Sequence, residues 1–84
     1  MNNNTHYIIV CDWAKDYQSG TTIYGVAHSQ EEAEKIFKEN IEKEKDWANE
    51  LEMEIWTETE DCFDASTEYY TENHTCTRII KTDK

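Results

Sequence analysis

The clearest periodicity along the chain is helical. Ala33, Ile36, Phe37, Ile41, Glu44, Trp47 and Ala48 recur at three- and four-residue spacing, and all but Glu44 are apolar. Such a stripe is the buried face of an amphipathic helix. Ser29 followed by Glu32 forms a capping box, and Gln30, Glu31 and Glu32 suit the positive end of the helix dipole. The other faces carry Lys35, Lys38, Glu39, Glu42, Lys43 and Lys45, with Glu31–Lys35, Glu34–Lys38 and Glu39–Lys43 at favourable i,i+4 spacing. With Asn49 as a stop signal, the pattern predicts a helix over about residues 30–48.

On both sides of the helix the pattern changes to that of strands. Residues 6–13 are β-branched and aromatic and apolar at nearly every position, as in a central strand. Residues 21–28 form the second strand, reached through the polar connection 16–20, so a hairpin is expected. Gly25 within it signals a bulge or the close approach of another element. Residues 50–60 alternate: Leu51, Met53, Ile55 and Thr57 point one way, and the glutamates with Trp56 point the other. That period of two predicts a half-buried strand, with helix continuing over 49–53 as the alternative. Residues 61–66 read as a loop, and 67–71 with 75–82 as a last hairpin turning near Glu72-Asn73. The order β-β-α-β-(β)-β predicts a two-layer α+β domain spanning residues 1–84, an antiparallel sheet with one helix across one face. The other sheet face is expected to stay wet and to present the glutamates.

Charge sharpens this picture. The 84 residues carry a net charge of −11, and between Asp46 and Thr77 stand ten acids with no Lys or Arg. A field of one sign costs self-repulsion and is kept mainly where it steers a partner. Arg78, Lys81 and Lys84 gather near the end, where they are expected to neutralise part of it. On a strand, i and i+2 lie roughly 6.7 Å apart, so Glu50, Glu52, Glu54, Glu58 and Glu60 would line up as a row of carboxylates around Trp56. A duplex offers its partners a similar row of anions, and Lys and Arg placed to neutralise one accept the other. Asp61, Asp64, Glu68 and Glu72 extend the charge, while Tyr69 and Tyr70 join Trp56 as aromatic anchors. The competing reading is a solvated face kept acidic for solubility and against edge pairing.

Other chemistry finds less support. Cys62, His74 and Cys76, with Cys11, make up a Cys₃His donor set, but no two cysteines have the C-x₂₋₄-C spacing of zinc sites. Small reduced thiols and a surface histidine are the favoured reading. Calcium lacks its Asp-rich loop of twelve residues. Neither Cys62 nor Cys76 sits in a local signature for nucleophilic catalysis, and an acidic surround raises a thiol's pKa. Neither phosphate-loop nor dinucleotide motifs occur, so no enzyme, metal or cofactor is expected. Direct nucleic-acid binding is disfavoured by sign of charge. Nothing resembles a signal peptide or a membrane span, which makes the cytoplasm the expected location.

Length, charge and the Glu50-x-Glu52-x-Glu54-x-x-x-Glu58-x-Glu60 row resemble the small acidic inhibitors of phages and mobile elements, anti-CRISPR and anti-restriction DNA mimics among them. The resemblance is one of type rather than of a matched motif. It implies a cytoplasmic decoy, monomeric or a small homo-oligomer, that occludes the nucleic-acid cleft of a basic protein such as a CRISPR nuclease complex or restriction enzyme. Two alternatives are an immunity or antitoxin protein covering a toxin, and a housekeeping interaction module whose charge only solubilises.

Overall fold

The computed structural model of the chain describes residues 5–82. In chain order the elements are β1 (His6–Lys15), β2 (Gln18–Ala27), α1 (Gln30–Glu50), β3 (Glu54–Glu58), β4 (Cys62–Ser66) and β5 (Asn73–Thr82). The five strands form one antiparallel sheet in the order β2-β1-β5-β4-β3. α1 lies across one face, as the sequence pattern predicts. Ile9, Ala27, Phe63 and Ala65 from the sheet meet Ala33, Phe37, Ile41 and Ala48 from the helix, with Met53 closing one end.

The helix begins where expected. Ser29 Oγ accepts from the Glu32 N–H at 3.1 Å, and Glu32 Oε1 accepts from the His28 N–H at 3.2 Å. Both alternatives for Gly25 are realised together. A Cβ there would stand 3.3 Å from Ile36 Cδ1, so the helix comes close. Beside it the β1–β2 register slips, pairing Ile9 with Gly25 and Val10 with Ile23. The extra residue, Tyr24, is turned to the helix face by this bulge, where its hydroxyl reaches Glu44.

Elsewhere the boundaries move. The β1–β2 turn is only Asp16 and Tyr17, both left-handed with φ of 53° and 69°, because a two-residue turn of that hand matches strand twist. β2 therefore starts at Gln18, and the longer connection over 16–20 is corrected. Residues 62–66, expected as loop, are β4: Phe63 and Ala65 point into the core while Cys62, Asp64 and Ser66 face away. With only five residues, two of them the turn-favouring Asp64 and Ser66, this alternation is easily mistaken for a turn. Residues 67–71, expected as strand, instead form the β4–β5 loop, closed by Glu72 N–H to Tyr69 O at 2.9 Å.

The uncovered sheet face also differs from expectation. Register places Val26, Ile8 and Ile80 in one cross-strand row and Ile23 beside Val10 in the next. This region is apolar instead of glutamate-lined. At its centre Arg78 Nη1 donates to Asp12 Oδ2 at 2.8 Å, so this base serves β1 and not the acidic segment. Lys84 lies outside the described residues. No helix among the described residues is long and apolar enough to cross a membrane.

Candidate functional site

β1 ends, β5 starts, β4 ends and β3 starts at the same end of the sheet, as the pairs Lys15–Asn73, Ser66–His74 and Glu54–Ser66 require. α1 leaves β2 at the opposite end and delivers its C-terminus here, directly before β3. One end of the molecule thus gathers Glu50, Glu52 and Glu54 from the helix–strand junction and Glu68 and Glu72 from the β4–β5 loop. Asp16 joins them from the β1–β2 turn, since Tyr17 N–H donates to Glu72 O at 3.1 Å and Asp16 N–H to Asn73 Oδ1 at 3.2 Å. Lys15 is the only nearby strand-end cation among the described residues.

The helix end is built against its own electrostatics. No basic residue stands in the last turn, although cations there would compensate the negative end of the dipole. The chain stops in a Schellman arrangement: Met53 N–H donates to Ala48 O at 2.8 Å and Glu52 N–H to Asn49 O at 3.1 Å. Glu52 holds the left-handed position with φ of 55°, where glycine is the usual occupant. A side chain there costs roughly 1–2 kcal/mol. The helix accordingly includes Asn49 and Glu50, two residues beyond the expected end at 48 and part of the way into the alternative of helix over 49–53, and the strand begins only at Glu54.

Exposed aromatics lie around the same end. Tyr17 and Tyr69 are 67% and 60% exposed, Trp56 is 58% and Tyr70 is 44% exposed. Trp56 is the extra residue of a second bulge, since Ile55 pairs with Ala65 and Thr57 with Asp64. Its indole Nε1–H donates to Ser66 Oγ at 2.8 Å. On β5, opposite Ser66, His74 stacks against Tyr70, with ring centroids 3.9 Å apart.

The bulge also dissolves the expected carboxylate row. It shifts parity along β3, so Glu54 lies on the uncovered face while Glu58 turns to the helix face and pairs with Lys45. Glu50 belongs to the helix and Glu52 to its cap. Glu60 and Asp61 stand in the β3–β4 turn at the far end, where Asp61 Oδ1 accepts from Thr59 Oγ1 at 2.9 Å. Asp64 sits mid-strand opposite Cys76. Sequence reasoning missed Asp16 and Tyr17, whose signal was a turn-forming pair between two strand-like runs.

A second feature is buried on the helix side. Glu44, the one polar member of the helical stripe, is 7% exposed. Its carboxylate accepts from Thr75 Oγ1 at 2.6 Å, from Thr77 Oγ1 at 2.5 and 2.7 Å, and from the Tyr24 hydroxyl. Cys11 Sγ lies 3.3 Å from Thr75 Oγ1. Burial, then the bond to the Glu44 carboxylate, pushes Tyr24 well above the ordinary phenol range. A phenol raised in the folded state stabilises below its unfolded value of about 10 and loses that contribution as pH climbs past it. The difference in melting temperature between the native chain and Tyr24→Phe should therefore shrink between about pH 9 and 11.5. A constant difference would contradict this.

Burial raises Cys11, Cys62 and Cys76 as well, with Asp64 the next cause for the latter two, so all three free thiols stay protonated at neutral pH. Cys11 faces the helix and Cys62 and Cys76 the opposite side of the sheet, which prevents the four-residue donor set from converging. No family model, curated protein or solved structure matches the chain.

Proposed function

We propose that the chain is an acidic inhibitor, a decoy that occupies the nucleic-acid-binding cleft of a basic partner such as a CRISPR nuclease complex or restriction enzyme. The observation that carries this reading is the acidic end. Asp16, Glu50, Glu52, Glu54, Glu68 and Glu72 stand at the same end of the sheet, where the α1 dipole is itself negative, and Glu52 adopts a backbone conformation unfavourable to it. Strain and like charge kept together at one place are expected where they serve a partner. Lys and Arg of the cleft would pair with these carboxylates, and Trp56, Tyr69 and Tyr70 would supply the desolvated anchors. The protein would work in the cytoplasm, in the host's if phage-encoded, without a cofactor or chemistry of its own.

Immobilised protein in a low-salt lysate should retain a basic nucleic-acid-binding protein, and excess duplex DNA should displace it. The chain alone should not bind DNA. Screening predicts release along a salt gradient, since the Debye length falls from about 10 Å at 0.1 M to about 3 Å at 1 M. A complex indifferent to molar salt or to competing DNA would overturn the reading. A toxin retained through its active site would make the chain an immunity protein instead.

A further inference from the structure

Beside the C-terminal half of α1 is a hollow of about 370 Å³ whose lining includes Trp13, Trp47, Tyr24, Glu44 and Lys15. We propose that it binds an organic ammonium group, alkylated or borne on a lysine side chain. The argument starts from Glu44. Its carboxylate is buried and held by hydroxyls alone; among the described residues no Lys or Arg forms an ion pair with it. Hydroxyl donors orient such a carboxylate but leave its negative field uncancelled, and the partly dry surroundings screen that field weakly. The walls are two indoles and a phenol, and aromatic faces attract cations, most strongly when these are desolvated. A carboxylate behind aromatic walls selects a soft, weakly hydrated cation over a hydrated metal ion.

The walls are held in place. Trp13 Nε1–H donates to Thr22 Oγ1 at 3.1 Å, and its ring lies so close over Gly20 that a Cβ there would be 2.7 Å from Cζ2. Trp47 packs against the core cluster from the helix. Lys15 opposes the proposed ligand by charge, and this makes the idea sharp: removing that charge should strengthen binding to a cation but would weaken binding to an anion. The inference does not depend on the acidic decoy, and the failure of one would leave the other standing.

The test is a titration of the full chain with choline chloride at constant ionic strength, followed by the indole N–H resonances. Trp13 and Trp47 should shift saturably, with Trp56 as the internal reference. The neutral isostere 3,3-dimethyl-1-butanol should bind about tenfold or more weakly, which is the scale of a desolvated cation–π contact. Glu44→Gln should weaken choline binding about tenfold, and Lys15→Gln should tighten it several-fold. Because Glu44→Gln disturbs a buried network, Trp47→Leu, checked for an unchanged fold by circular dichroism, provides an independent loss of binding. A trimethyllysine peptide that binds more tightly than choline would identify a protein side chain as the source; equal binding would identify a free amine. Equal response to choline and its isostere, weakening by Lys15→Gln, or no saturable shift would overturn the proposal.

Discussion

Reversing Glu50, Glu52 and Glu54 to lysine should abolish capture of the basic partner and leave the fold at least as stable. Repulsion replaces attraction at the centre of the proposed interface, and like charges brought together there cost several kcal/mol. Stability should move the other way. A lysine at the end of α1 compensates the dipole, worth about 0.3–1 kcal/mol at an exposed site, and mutual repulsion among the acids is relieved. The matched control is Glu39, Glu42 and Glu60 to lysine, which changes net charge equally on exposed positions away from that end. Binding measured by interferometry at low salt, with melting curves of both variants, decides the matter. If both triples lose binding equally, total charge and not the acidic end is responsible, and the decoy loses its geometric basis. Glu58, a member of the expected row, is left out because it faces Lys45.

Phe37→Ala should lose about 3–5 kcal/mol of stability. Phe37 is 2% exposed and stands in the middle of the helical stripe, against the sheet residues Ile9, Phe63 and Ala65 of the same core cluster. Among the described residues no second layer lies behind the helix to refill the space. Whole domains are stable by only about 5–15 kcal/mol, so the loss is a large share of what this chain has. For a domain of this size each kcal/mol lowers the melting temperature by roughly 4–8 °C, an effect easily seen by calorimetry. Below its lowered transition the variant should still capture a partner, because Phe37 is remote from the acidic end. An unchanged melting temperature with lost binding would invert the assignment of core and surface.

What the chain's own pattern determined was the element that can be recognised locally. The helix from Ser29 onward depends on a stripe, a cap and i,i+4 pairs, all within a few residues, and these are as visible in sequence as in space. The α+β class, with an antiparallel sheet and one helix on a face, was legible for the same reason, whereas the fourth strand was expected at 67–71 and lies at Cys62–Ser66. Even the odd member of the stripe, Glu44, stood out, although its meaning needed Thr75 and Thr77 from a strand more than thirty residues away.

Tertiary structure decided whatever depended on parity and on ends. A bulge at Trp56 exists only because β3 must pair with β4, and this single extra residue sends Glu58 to the opposite face from Glu54. Alternation read along one strand has no knowledge of its neighbour's register, so the row of carboxylates was an artefact of assuming an unbroken period of two. That face is uncovered as expected but is not lined by glutamates: Ile8, Ile23, Val26 and Ile80 come from three strands and form a patch only once those strands are paired. The acidic end is the converse case. Asp16, Glu52 and Glu72 are far apart in sequence and share one end of the molecule because the topology brings a turn, a helix cap and a loop to the same end of the sheet. Excess of charge is a property of composition, whereas its position is a property of topology.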